Sequence, residues 1–298
     1  VGDYFKAASG GGIYMEGGNP ALSKVMVSQN SSEGEGGGIY MSSADPSMDL
    51  VTVRNNTATD LGGGIYFGNS GPSLSRVAVI DNEAVNGGGL YLAALSSPNL
   101  VNTVVGNNTA SNEGGGLYLN NAEVDFVNVT VIRNSALTHG GALFMKGGVL
   151  KTRNSLLGGE GIWYNTSGGS NTMTIYYTDV AGGLEGIETN DNGSVDWGEG
   201  NLDIGHGVRP NFCQEGPVWG ADEKFHPPSA IIDAGDPDSK YNDEENLWCI
   251  YVSMAEAWAS NPAVINTPDS TTVRNDLGAF GGPKGSWGIK YATPGSEW

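Results

Sequence analysis

Hydrophobic and polar positions alternate along this chain in short bursts, and the bursts return on a fixed count. Val25, Val51, Val77, Thr103 and Val129 are each followed two residues later by Val27, Val53, Val79, Val105 and Val131. Three residues before each stands Leu22, Met48, Leu74, Leu100 or Phe126. A second burst pairs Ile13, Ile39, Ile65, Leu90, Leu117 and Leu143 with Met15, Met41, Phe67, Leu92, Leu119 and Met145, again two apart. A spacing of two puts the apolar side chains on one face of an extended strand. Each burst therefore predicts a short strand with one buried face.

Glycine and asparagine punctuate the bursts. Gly10, Gly36, Gly62, Gly87, Gly114 and Gly140 open six versions of one phrase, written Gly-Gly-Gly-Ile-Tyr-Met in the first two; successive openings are 26, 26, 25, 27 and 26 residues apart. Asn30, Asn56, Asn82, Asn108 and Asn134 are each 26 apart, so the asparagine holds the frame and the glycines drift around it. A unit of this length with two or three short strands cannot bury its apolar face alone, and successive copies must stack. Stacking at the ~4.8 Å interstrand distance gives an all-β parallel solenoid. A propeller needs blades of roughly 40 residues, and the leucine and asparagine pattern of a leucine-rich repeat is missing. The glycines belong at sharp turns where coils approach closely. The asparagines belong inside a corner, bonding backbone and one another.

The Gly-Gly-Gly-Ile-Tyr phrase and the preceding Val-x-Val-x-x-Asn resemble the two short motifs of polymorphic outer-membrane proteins and of secreted bacterial right-handed parallel β-helix proteins of the pectate-lyase-like group. The likeness covers about half the chain and implies a right-handed parallel β-helix in a secreted or surface protein. That group includes lyases, hydrolases and adhesins, so the likeness does not select an activity. Further on, Trp197 to Asp203, Ile232 to Asp238 and Arg274 to Pro283 resemble the terminal coils of such proteins. In those relatives the Tyr241-Asn242-Asp243 stretch runs almost directly into the Arg-Asn-Asp stretch; here about thirty residues intervene.

These features divide the chain into a helix of 26-residue coils over residues 1–185 and terminal coils with a cap over 186–298, the insertion lying at about 244–271. Within the insertion, residues 247–258 carry Leu247, Trp248, Ile250, Tyr251, Val252, Met254 and Trp258, apolar enough for a short helix or hairpin over the solenoid's end. The register weakens after Lys146. Asn154 follows Asn134 by only 20 residues, Gly159 to Trp163 reads as a degenerate seventh corner, and residues 174–180 read as one more strand. Residues 186–220 show no periodicity and read as loop-rich.

Composition narrows the function classes. A formal charge of −19 with 14 basic residues argues against nucleic acid and anionic membranes as partners. No run of 18 apolar residues is present, so no helical membrane insertion is expected. The chain opens at Val1 without methionine and reaches its first glycine corner at Gly10. That leaves little room for a cap over an exposed strand edge. The expectation is a trimmed product, a short cap built from Tyr4 and Phe5, or head-to-tail assembly of copies into fibres.

Candidate chemistry falls into four groups. Tyr14, Tyr40, Tyr66, Tyr91 and Tyr118, continued by Phe144, lie between inward residues and are expected outside as an aromatic stripe, stacked on one another or binding glycans or a partner protein. Asp233, Asp236, Asp238, Asp243 and Asp276, with Asn242 and Asn275, crowd hard oxygen ligands into glycine-rich loops, a composition that suits Ca²⁺. Cys213 and Cys249 are an even pair suited to one disulfide in an extracellular protein. Asp196, Glu199 and Asp203 are the carboxylates on which a carbohydrate-active enzyme would rest, since glycoside hydrolysis needs two carboxyl groups roughly 5–9.5 Å apart. His139, His206 and His226 have no zinc or triad spacing. Six Asn-x-Ser/Thr sequons begin at Asn30, Asn55, Asn107, Asn128, Asn165 and Asn192, as asparagine-rich corners would produce by chance. The reading is of a non-catalytic extracellular surface, adhesive or structural protein, with a polysaccharide lyase or glycoside hydrolase as the rival.

Overall fold

The computed structural model describes residues 8–203, apart from positions 160 and 166. Within that span the chain winds as a parallel β-solenoid. Its strands form one nineteen-stranded sheet wrapped around three faces and a separate five-stranded sheet on a fourth. The first face starts with Ile13–Glu16, the second with Ala21–Ser23, the third with Met26–Ser28 and the fourth with Ser31–Ser32. Each strand pairs in parallel with its equivalent one coil on, Ile13 with Ile39 with Ile65, and Val27 with Val53. The 26-residue frame is thus the length of one winding.

Four corners per coil follow from four left-handed residues. In the coil that holds Ile39 they are Gly36 (φ 63°), Ser43 (φ 52°), Leu50 (φ 55°) and Asn55 (φ 53°). A single left-handed residue between extended ones turns the chain sharply without a loop. Glycine occupies the first corner in every copy from Gly10 to Gly140. The two glycines after it answer a different demand: a Cβ on Gly37 would lie 2.5 Å from the carbonyl oxygen of Gly63, and one on Gly38 2.7 Å from that of Gly64. Backbone meets backbone there, so the triplet is a corner followed by two close approaches.

The interior is made of like on like. Ile39, Ile65, Leu90 and Leu117 are fully buried, as are Met41, Phe67, Leu92 and Leu119. Pro46, Pro72 and Pro98 form a further buried column whose carbonyls accept from Ser73, Asn99 and Asp125 one coil on. Proline has no N–H to give, and in these coils the first and second faces are separate strands. Val124 takes the proline's place in the next coil, and a single strand, Leu117–Ile132, runs across the first three faces.

The drift of the glycines has a local cause. Asp60 accepts at its carbonyl from both Val85 (3.0 Å) and Asn86 (3.1 Å), and the register slips between Ala84 and Asn86. This bulge absorbs one missing residue between the asparagine and the glycines, leaving the ladder in frame.

Past Lys146 the coil shortens rather than ends. Leu143 pairs with Ile162, nineteen residues later, and Ile162 with Ile187; Leu150 pairs with Met173 and Met173 with Val195. The loop-rich reading of residues 186–220 is therefore corrected over its first part, where Ile187–Glu188 and Gly193–Trp197 continue the winding. Residues 174–180 are two strands, Asn171–Tyr176 and Asp179–Val180, parted by left-handed Tyr177. Asn154 is not a stray ladder residue; it stands in the corner column of Asn102 and Asn128, all left-handed. These three are 26 apart, so the coil keeps its length as far as Asn154, and the spacing of 20 from Asn134 compares two different corners.

Candidate interaction face

The asparagines form one continuous hydrogen-bonded ladder from Asn30 to Asn134. Asn56 Nδ2 donates to Asn82 Oδ1 (3.0 Å) and to the Val27 carbonyl (3.0 Å), while Asn56 N donates to the same Asn82 oxygen (3.0 Å). Asn82 repeats this toward Asn108 and Val53, and Asn108 toward Asn134 and Val79. Asn30 joins from below through Asn56 Oδ1. Every carboxamide is spent on the scaffold, so the column is structural.

The ladder ends at Asn134, and a second one begins at another corner. Val129 N donates to Ser155 Oγ (3.1 Å), Ser155 N to Thr178 Oγ1 (3.4 Å) and Thr178 N to Asn201 Oδ1 (3.1 Å). Sequence reasoning missed this column, because three different residue types share it. Their common signal is a short oxygen side chain two residues past a carbonyl it can cap, as Ser155 does with Arg153 and Thr178 with Tyr176.

The tyrosines do form an outward stripe on the first face. Ring centroids are 5.0 Å apart for Tyr14 and Tyr40, 5.1 Å for Tyr40 and Tyr66, 5.5 Å for Tyr66 and Tyr91, 4.9 Å for Tyr91 and Tyr118, and 4.8 Å for Tyr118 and Phe144. The faces of the inner rings are occupied by the rings above and below, so the column offers edges and hydroxyls to solvent. Exposure falls along it: Tyr14 is 54% exposed, Tyr40 and Tyr66 are intermediate, Tyr91 and Tyr118 are 6% exposed and Phe144 is buried. Leu61, Ala93 and Trp163 pack beside the buried part, and Asn120 Nδ2 donates to the Tyr91 hydroxyl (3.1 Å).

An acidic flank runs beside the rings. Burial, then Tyr40, Glu35, Tyr91 and Asp60, push the Tyr66 hydroxyl up to about 12. Burial and then Glu113 hold the Tyr118 hydroxyl further above its ordinary value. At the far end Glu113 stands 3.9 Å from His139 Nδ1, and His139 stacks on Trp163 at 4.0 Å. Burial raises the Glu113 carboxyl above the usual range, opposed by His139 and Lys146.

The remaining candidates are placed as follows. Asp196 lies on the second face opposite Thr174, Glu199 accepts from the Tyr177 hydroxyl (2.9 Å), and Asp203 accepts from Gly182 N (3.3 Å). All three are exposed, and each answers to a different neighbour. Asp233, Asp236, Asp238, Asp243, Asp276, Cys213 and Cys249 lie outside the described residues. Among the described residues no cluster of three His, Cys, Asp or Glu is placed to hold a metal ion. Of the sequons, Asn30 sits in the ladder and Asn128 is buried, whereas Asn55 and Asn107 are exposed.

A winding of parallel coils held by an internal asparagine ladder defines the class, a parallel β-helix with a lateral aromatic column. A family model described as right handed beta helix region matches residues 4–175, more than half the chain, and the chain belongs to that family. No curated protein and no solved structure matches it.

Proposed function

We propose that the protein is a non-catalytic surface or structural protein of the extracellular space, whose first face recognises an extended partner such as a surface glycan or protein. The observation that carries this reading is the aromatic column itself. It repeats at the coil spacing, opens toward solvent at Tyr14, Tyr40 and Tyr66, and is flanked by Glu35 and Asp60. A row of hydroxyls and carboxylates at ~4.8 Å intervals suits a long ligand touched at many points, whereas a pocket would suit a small one. Association of copies end to end would lengthen such a face and is the natural extension of the same reading.

The test is binding by hydroxyl-deleted variants that keep the rings. Tyr40→Phe with Tyr66→Phe is expected to preserve the stack and the melting curve while weakening glycan-array or cell-binding signals severalfold. Signals that survive unchanged would remove recognition by this face. Incubation with a polysaccharide panel is expected to yield neither absorbance at 235 nm nor new reducing ends; either product would replace this reading with the enzymatic one.

A further inference from the structure

The aromatic column continues past its tyrosines. Phe144 pairs in register with Trp163, so the first face carries one aromatic ring per winding from Tyr14 to Trp163. Between successive tyrosines the ring planes lie within 19° of parallel at 4.9–5.5 Å, and Phe144 follows Tyr118 at 4.8 Å. Each of these contacts is between rings of adjacent windings. Stacking at that distance lets a positive charge formed on one ring pass to the next, and phenol and indole are among the side chains most readily oxidised by one electron. Phe144 is not oxidised so readily and acts as a bridge, leaving Trp163 two coil steps from Tyr118, roughly 10 Å.

The two ends of the column differ in where a proton can go. The Tyr14 hydroxyl donates to Glu16 Oε2 (3.3 Å). The Tyr91 hydroxyl instead accepts from Asn120 Nδ2 (3.1 Å), a group with no capacity to take a proton. Among the described residues no other hydroxyl of the column donates to a carboxylate. An oxidised phenol is a strong acid, so the radical settles where its proton has an acceptor. Tyr177 also donates to a carboxylate, Glu199, at 2.9 Å, but the Arg153 guanidinium lies 5.8 Å from its ring centroid. A fixed cation there opposes removal of an electron from that ring.

We propose that the column conducts one-electron oxidation from Trp163 to Tyr14, and that Tyr14 is the site at which a phenoxyl radical forms and couples to a second phenol. A one-electron oxidant of the peroxide-derived radical class takes an electron from the Trp163 indole and is reduced. Tyr118 returns that electron to Trp163, and the vacancy moves through Tyr91, Tyr66 and Tyr40 to Tyr14. There the O–H bond breaks and Glu16 takes the proton. Two phenoxyl radicals then join through one C–C bond between ring carbons beside the oxygens, and the two ring hydrogens move to those oxygens. Two phenols thus become one biphenol, with two protons released and two electrons accepted by two equivalents of oxidant.

The full chain serves as the test material. Azide radicals made by pulse radiolysis oxidise indole in preference to phenol, so indolyl absorbance is expected to decay while phenoxyl absorbance rises, at a rate independent of protein concentration. Trp163→Phe is expected to remove that phase. Tyr66→Phe with Tyr91→Phe keeps the rings packed but leaves Tyr118 and Tyr40 three coil steps apart, roughly 14 Å, and is expected to slow it severalfold. Photo-oxidation of the unaltered chain with biotin-tyramide as the second phenol supplies an arm free of substitutions: peptide mapping is expected to find the label on Tyr14 and not on Tyr177. Glu16→Gln is expected to lower the Tyr14 label severalfold. A phase that persists unchanged in Trp163→Phe or in the double variant, a label on Tyr177 with none on Tyr14, or full labelling of Tyr14 in Glu16→Gln would each overturn the assignment.

Discussion

Asn82 shows how much a single side chain carries in a repeating scaffold. Its Nδ2 gives to Asn108 Oδ1 and the Val53 carbonyl, and its Oδ1 takes from Asn56 N and Asn56 Nδ2. Leucine at this position would leave two donors and a carbonyl buried without partners. Asn82→Leu is therefore expected to lower stability by roughly 1–3 kcal/mol in denaturant unfolding, and an unchanged curve would refute the ladder's role. This residue was legible in the sequence because only asparagine offers both a donor and an acceptor at that length. The left-handed corners of Leu50 and Arg76 were not legible. Neither residue favours that conformation, and their coil neighbours above and below impose it.

At the scale of the element, the aromatic column couples to pH. Burial, then Tyr40, Glu35, Tyr91 and Asp60, raise Tyr66 to about 12, and burial raises Tyr91 and Tyr118 as well. A raised folded-state value means that the unfolded chain loses its phenolic protons first. The stability these groups contribute is thus intact below the unfolded value near 10 and falls as pH climbs toward 12. Melting temperatures measured across pH 9–12 are expected to fall, and Tyr66→Phe is expected to flatten part of that fall. Equal slopes in both proteins would show that Tyr66 is not involved. The stripe itself could be read from alternation. Its covering at Tyr91 and Tyr118 could not, because Leu61 arrives from before the glycine corner, while Asn120 bonds across to the Tyr91 hydroxyl from the next coil and Trp163, paired with Phe144, extends the column past the tyrosine repeat.

For the molecule as a whole, stacking makes coils interchangeable. Removing residues 57–82, one full winding that joins Asn56 to Glu83, keeps every column in register. That variant is expected to unfold cooperatively with a denaturant slope lowered in proportion to the surface lost. Removing residues 57–69 breaks the register and is expected to abolish the sharp transition. A sharp transition in the half-coil variant would mean that the columns do not specify the fold.

The sequence by itself determined the winding length, the buried columns, the glycine corners and the asparagine ladder, because each demands one residue type or one class of apolar side chain and returns it at each turn. Only the tertiary structure decided where the coil shortens, how the second polar ladder takes over at Ser155, Thr178 and Asn201, and which outward faces are covered. Those depend on contacts between residues that share no period and no common chemistry, and a one-dimensional pattern holds no record of them.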